Sequence, residues 1–235
     1  MKDIFSVKNK IIVITGAGRG IGRFLANELS KRSAIVYAVD KTFSKKNQTN
    51  DYFQKKCDIT NKIQFQKVCK NILKNSRKID VLINNAGVTL PNNSSKDYPL
   101  EDWKKTIDVN LTGVFVCSQI VAKIMKKRRT GSIINITSIN AELGFPNNPA
   151  YVASKGGLKM LTKSLAKDFG KYNIRVNNLG PGYIITDMTK NSYQNKKSRI
   201  ARQKHTLLGR WGVITDLVGP CIFLASDAAG YVTGQ

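Results

Sequence analysis

A continuous β-branched run, Ile11-Ile12-Val13-Ile14-Thr15, stops on a cluster of glycines at positions 16, 18, 20 and 22. Apolar residues in unbroken succession suit a strand covered on both faces, as in a parallel sheet flanked by helices. Beyond the glycines Ile21, Phe24, Leu25 and Leu29 recur at helical spacing, with Arg23 and Glu28 among the polar positions. The order is strand, glycine turn, helix. In that setting glycines let the backbone approach a pyrophosphate, whose charge rests at the helix N-terminus. The glycines this needs are Gly16, Gly20 and Gly22, spaced G-x-x-x-G-x-G, and the G-x-G-x-x-G fingerprint is absent because position 21 is Ile and position 23 is Arg.

The rest of the chain repeats the alternation. Strands are expected at 11–15, 34–39, 52–57, 80–83, 131–137 and 173–179, with helices at 21–32, 61–76, 100–128, 150–171 and 214–226. Gly131, Gly170 and Asn173 mark connections between helix and strand. This pattern predicts an α/β fold: a single doubly wound parallel sheet with helices on both faces, one domain over residues 1–235. No internal repeat or linker interrupts it. In such sheets ligands bind beyond the carboxyl ends of the strands. The second strand ends in Asp40, about twenty residues past the glycine loop, where a carboxylate can accept hydrogen bonds from both ribose hydroxyls and repel a 2′-phosphate. That favours NAD over NADP. Lys41, Lys45 and Lys46 supply an opposing positive charge that keeps NADP possible.

Tyr151 and Lys155 stand four apart, so a phenol and an ammonium project from one face of the helix expected there. A nearby cation favours phenolate and draws a tyrosine pKa down from about 10, toward proton-shuttling range. Ser138 lies upstream at the end of the strand expected at 131–137.

These motifs resemble the short-chain dehydrogenase/reductase family, from about Val7 to Gln235. Thr15-Gly16-Ala17-Gly18-Arg19-Gly20-Ile21-Gly22 looks like the family's cofactor loop, and Asn84-Asn85-Ala86-Gly87 looks like its sheet-stabilising turn. The resemblance implies a catalytic four of Asn110, Ser138, Tyr151 and Lys155, with Asn110 holding a water in the proton path. It implies cofactor contacts at Thr15, Gly16, Arg19, Gly20, Ile21, Gly22, Asp40, Asp58, Ile59, Asn85, Ala86 and Gly87. Tyr151, Lys155, Pro181, Gly182, Ile184 and Thr186 complete that set beside the nicotinamide. The runs Lys155–Thr162, Gly180–Met188 and Gly209–Gly212 are similar to the gluconate 5-dehydrogenase and 2-deoxygluconate 3-dehydrogenase branch, which acts on sugar acids and polyols. The 3-oxoacyl carrier-protein reductases share every catalytic residue. Two departures stand out: the seventeen residues between Asp40 and Asp58 lack the apolar stripe of a helix, and the sequence stops at Gln235, where relatives continue into a final strand.

The net charge is +24 and the pI near 10, the electrostatic footprint of a polyanion binder. Yet Lys and Arg are spread along the chain, without a nucleic-acid module, so no nucleic-acid partner is expected. A basic surface would still steer a dinucleotide or a sugar acid. Met1 to Ile14 lacks a signal-peptide pattern and no run of eighteen apolar residues exists, which predicts a cytoplasmic protein without a membrane partner. Cys57, Cys69, Cys117 and Cys221 lack metal spacing, so no metal site is expected, and the lone His205 reads as an exposed or lid residue.

The expected activity is oxidation of a small-molecule alcohol, or reduction of its ketone, by a homo-oligomer, tetramer or dimer. Residues 186–210 are long, polar and basic, as a substrate lid would be. Substrate identity is expected to rest on residues 141–149 and 188–210, with Arg210 as one candidate. A catalytically silent cofactor-binding regulator is the reading from another class; the complete catalytic four argues against it.

Overall fold

The structure, a computed structural model, describes residues 3–44, 51–92 and 94–235. Six parallel strands, β1 (Ile11–Thr15), β2 (Ile35–Asp40), β3 (Phe53–Lys56), β4 (Val81–Asn84), β5 (Gly131–Ile136) and β6 (Ile174–Leu179), form one sheet in the order β3-β2-β1-β4-β5-β6. The order reverses direction between β1 and β4, so the crevice at the strand ends opens where the glycine loop leaves β1. Helix α1 (Gly20–Lys31) covers one face; α2 (Lys62–Ser76), α4 (Gly113–Lys126) and α5 (Pro149–Gly170) cover the other. The β1 residues alternate between the two cores, Ile11 and Val13 facing α2 and α4 while Ile12 and Ile14 face α1. All five β1 residues are buried, which is why the run carries no polar alternation.

The expected helix at 100–128 is divided. Helix α3 (Leu100–Ile107) passes through one π-helical turn, Asp108–Thr112, before α4 begins. Wide turns of this kind place one residue out of the α-helical rhythm, and here that residue is Asn110, drawn inward onto the backbone of Val88. Apolar periodicity carries no sign of such a turn. By length and composition the run Leu100–Lys126 would suffice to cross a membrane. In this fold it is a core helix, with Val114, Cys117, Val121 and Met125 buried. The expected helix at 214–226 starts as a 3₁₀ turn, Ile214–Leu217, and continues as α8 (Val218–Ala225), which packs on the α1 face.

Between Asp40 and β3, residues 41–44 are not helical; Lys45 and Lys46 lie outside the described residues. At the opposite edge the last residues run along β6: Gly234 N donates to Val176 O at 2.8 Å and Asn178 N to Gln235 O at 2.6 Å. The stretch from 186 to 210 folds as two short helices, α6 (Lys190–Gln194) and α7 (Lys196–Gln203).

At the carboxyl ends of the strands a polar row crosses the sheet in register: Thr15, Asn84, Asn135 and Asn178. Asn84 Nδ2 donates to Asn135 Oδ1 at 2.9 Å and to Ser118 Oγ of α4 at 3.0 Å, and Asn135 Nδ2 donates to Thr162 Oγ1 of α5 at 2.7 Å. Burying a polar group costs free energy unless it is hydrogen-bonded, and these bonds, which leave Asn84 Oδ1 without a partner among the described residues, tie α4 and α5 to the sheet beneath the crevice.

Candidate active site

The glycine loop is held by interlocking backbone. Asn85, past the end of β4, donates its Nδ2 to the carbonyls of Thr15 (3.0 Å) and Gly16 (2.9 Å), while Thr15 Oγ1 accepts from the N–H groups of Asn85 and Ala86. A Cβ at Gly16 would lie 2.5 Å from Ala86 Cα, and one at Gly22 would lie 2.4 Å from Asn85 Nδ2. Gly18 N donates to Asp40 Oδ2 at 2.8 Å, and a Cβ there would meet the Thr42 carbonyl oxygen at 2.3 Å. The structure therefore divides the glycines differently from the sequence expectation. Gly16, Gly18 and Gly22 are required by close packing, and only Gly20, with φ +56° and nothing within 4 Å of a would-be Cβ, borders open space. Gly18, missing from the expected contact set, is the residue that fixes the Asp40 carboxylate; the alternation Gly16-Ala17-Gly18 was its only signal.

Beside Gly20, the N-terminus of α1 fits an anionic group. Arg19 occupies the N-cap position without a side-chain cap bond, and no acidic residue stands in the first turn. The leading N–H groups, those of Gly20 and Ile21 among them, lack that side-chain acceptor, an arrangement suited to a pyrophosphate. Asp40 accepts from Gly18 N and Thr42 N (3.2 Å), which leaves lone pairs on both oxygens for ribose hydroxyls. Lys41 is paired with Asp58 at 2.7 Å. Burial pushes the Asp58 carboxyl up, but Lys41 and the Thr60 N–H and hydroxyl outweigh it and hold the group below its ordinary value. Ile59 packs beside Gly113 at the end of the π turn.

At the ends of β4 and β5 the four expected catalytic residues come together. Ser138 follows β5; its hydroxyl accepts from Asn140 N at 3.2 Å and stands near the Tyr151 phenol, whose ionised form it favours. Lys155 is buried and its Nζ donates to the Ile136 carbonyl at 2.7 Å. A Cβ at Gly87 would stand 3.4 Å from Asn110 Oδ1 and 3.7 Å from Lys155 Nζ, so the turn after β4 touches both. The Asn110 amide clasps Val88, accepting from its N–H at 2.8 Å and donating to its carbonyl at 2.9 Å. It also donates to Ser154 Oγ at 3.1 Å, and that hydroxyl bonds the Tyr151 carbonyl. Both Nδ2 protons are engaged, so this side chain joins the β4 turn to α5. It does not present those protons to a water. Ser154, which completes the clasp, was not foreseen.

The expected lowering of the Tyr151 pKa by Lys155 is corrected. Burial raises the Tyr151 phenol above its ordinary value, and the neighbouring Ser138 hydroxyl offsets this only in part. The Lys155 ammonium lies 5.7 Å from the ring centre and is directed to the Ile136 carbonyl, while burial lowers its own pKa to about 8. Helical spacing put the two on one face, but the length of the lysine stem carried its charge past the ring.

The segment after β6 closes the crevice. Ile139 N donates to the Pro181 carbonyl at 2.9 Å, joining the Ser138 turn to Pro181-Gly182. Ile184 is buried, and a Cβ at Gly212 would lie 2.5 Å from its Cδ1, so its side chain belongs to the core. Thr186 is tied to Thr189, its N–H donating to Oγ1 at 3.0 Å. Arg210 forms a forked pair with Asp216 at 2.7 and 3.1 Å and is thereby committed within its own turn. His205 is exposed.

Comparison with known proteins matches residues 10–197 to the family model described as short chain dehydrogenase. The chain is 35% identical over 243 residues to the 5-keto-D-gluconate 5-reductase of Escherichia coli (strain K12), covering 100% of this chain and 95% of that protein. It is 36% identical to a 3-oxoacyl-[acyl-carrier-protein] reductase of Staphylococcus epidermidis, covering 97% and 96%. Among solved structures, a gluconate 5-dehydrogenase from Burkholderia cenocepacia in complex with NADP and tartrate superposes with a TM-score of 0.93 at 33% identity, covering 99% of this chain and 94% of that one.

Proposed function

The chain belongs to the short-chain dehydrogenase family, and from that membership and the site geometry we propose that it interconverts a secondary alcohol and a ketone on a sugar acid of the gluconate kind. NAD is the favoured cofactor, with NADP the alternative. The observation that carries the reading is the meeting of Ser138, Tyr151 and Lys155 at the strand ends that also hold the glycine loop and Asp40. Gluconate-directed relatives and a structural neighbour that binds NADP support it. The fixed Asp40 carboxylate argues for NAD, because it would stand against a 2′-phosphate and Lys41 is occupied by Asp58.

When bound, the nicotinamide supplies the redox chemistry, accepting hydride from the alcohol carbon or returning it to the ketone carbon. The chain manages the proton and the geometry. In oxidation the Tyr151 oxygen, as phenolate, takes the proton of the substrate hydroxyl; in reduction the phenol gives it back. Ser138 Oγ holds the substrate oxygen beside that phenol. Lys155, its ammonium fixed by the Ile136 carbonyl, would hold a nicotinamide ribose hydroxyl. Asn110 is a positioning residue, keeping the β4 turn and α5 at fixed separation. Thr15, Gly16, Arg19, Gly20, Ile21 and Gly22 cradle the pyrophosphate, Asp40 the adenosine ribose, Asp58 and Ile59 the adenine side. Asn85, Ala86, Gly87, Pro181, Gly182, Ile184 and Thr186 border the nicotinamide half. Residues 186–210 form the lid.

Four free, buried thiols are compatible with a cytoplasmic setting. Exposed Leu100, Trp103, Phe115 and Met160 on α3, α4 and α5 support a homo-oligomer. A second reading, reduction of a 3-oxoacyl thioester, is favoured by the Staphylococcus relative. The test is a screen of gluconate, 2-deoxygluconate and neutral polyols with NAD and NADP, beside reduction of an acetoacetyl thioester. Turnover of an aldonate above the thioester is expected; fast thioester reduction with no aldonate turnover would replace the first reading with the second.

A further inference from the structure

The lid carries seven cations between Lys190 and Arg210. Its four lysines are exposed, Arg210 is committed to Asp216, and the Arg199 guanidinium sits over the Tyr193 ring at 5.6 Å. Arg202 differs. Its guanidinium lies 5.1 Å from the ring centre of Phe145 and 5.5 Å from that of Tyr183, and it donates to Ser192 Oγ. Phe145 belongs to the segment that joins Ser138 to the helix bearing Tyr151, and Tyr183 follows Pro181-Gly182. Arg202 therefore bridges the two loops that border the reacting oxygen. It is half-buried, and among the described residues no carboxylate pairs with it.

Two ring faces stabilise a guanidinium without neutralising it. Of its five in-plane N–H donors, the hydrogen bond to Ser192 uses one, and the planar fork that remains matches a carboxylate. The mounting rests on Trp211, which is buried, packs against Tyr183 at 5.5 Å and Tyr193 at 5.3 Å, and donates its indole N–H to the Arg199 carbonyl of α7 at 3.1 Å. We infer that Arg202 reads the carboxylate of the substrate and so selects sugar acids over neutral polyols, an inference that rests on the proposed activity. The alcohol carbon lies toward Tyr151 and Ser138, and the acid end extends toward α7.

Arg202→Met keeps the long stem but removes the charge and the fork; Arg202→Lys keeps the charge alone. The experiment compares kcat and KM for gluconate and for sorbitol, its neutral counterpart in length, and measures gluconate affinity by calorimetry on protein loaded with reduced cofactor. For R202M, KM and Kd for gluconate should rise roughly 10- to 100-fold, as expected for loss of a charge-assisted pair. The preference for gluconate over sorbitol should fall by a similar factor, with R202K intermediate. An equal loss on both substrates would make Arg202 a structural prop and overturn the inference, as would an unchanged gluconate Kd in R202M. If the wild-type protein turns over no aldonate, the proposed activity itself fails and takes this inference with it. A wild type active on gluconate beside an R202M protein that matches it defeats the inference alone.

Discussion

Around Gly16, Gly18 and Gly22 the backbone is fixed by atoms that leave no room for a methyl group, with would-be Cβ contacts of 2.3 to 2.5 Å. Across the cleft, α6 and α7 are held by ring faces and single side-chain bonds, and Leu207 and Leu208 stand in solvent. The first region is glycine backbone packed against neighbouring main chain and the fixed side chains of Asn85 and Asp40, and its three close-packed glycines leave no room for a Cβ. The second is made of side chains on short helices, where one residue can change without moving the sheet. Cofactor recognition of the kind proposed suits the rigid side. Discrimination among substrates suits the adaptable one, because a lid of the kind proposed must move to admit its ligand.

The largest effect is expected at the strand ends, beside the turn after β4. Lys155→Met removes the buried ammonium beside the turn after β4, and turnover should fall about 10²- to 10⁴-fold, read by initial rates at saturating substrate. The same variant has a pH signature in the cofactor-free protein. The folded Lys155 pKa of about 8 lies below the ordinary 10.5, so the unfolded chain holds the proton more tightly across that window. Stability contributed by this group therefore rises with pH between those values, and the difference in denaturant stability between wild type and K155M should follow that rise. A pH-independent difference would place the ammonium in water.

Gly18→Ala tests the rigid side. Its methyl group must displace the Thr42 carbonyl or the Asp40 carboxylate, and overpacking of this kind costs about 1 to 3 kcal/mol. Cofactor affinity should weaken about tenfold or more by fluorescence titration, and a variant binding like wild type would show the loop to be looser than the contacts imply. A smaller effect is expected at Asp40→Ala, where the preference for NAD over NADP should shift about tenfold toward NADP. Unchanged discrimination would mean that another residue reads the 2′ position.

Much of the fold was legible because β1, β2 and β4 are buried parallel strands that leave near-continuous apolar runs, and all six strands begin and end within two residues of the expected bounds, although β3, Phe53-Gln54-Lys55-Lys56, carries no such run. The site was legible for the same reason: its residues follow strand ends, and sequence order alone brought Gly16, Asp40, Asn85, Ser138 and Pro181 to one edge. Three features were not. The π turn at Asp108–Thr112 leaves no mark on apolar periodicity, because the residue it displaces is the polar Asn110. The direction of the Lys155 ammonium depends on a backbone carbonyl at Ile136, which no side-chain pattern encodes. Among the lid cations, the sequence could not separate Arg202 from Arg210, because the Asp216 partner of one and the aromatic neighbours of the other are set by tertiary contact.

The claim on which the account rests is that the Tyr151 hydroxyl exchanges the proton of the reacting oxygen. Tyr151→Phe keeps the ring and its packing while removing that hydroxyl. The direct measurement is gluconate oxidation, followed by absorbance of the reduced nicotinamide, together with cofactor affinity of the same preparation. The account predicts a loss of about 10²-fold or more in turnover with cofactor affinity within a few-fold of wild type. A Y151F protein oxidising gluconate at close to the wild-type rate would contradict it.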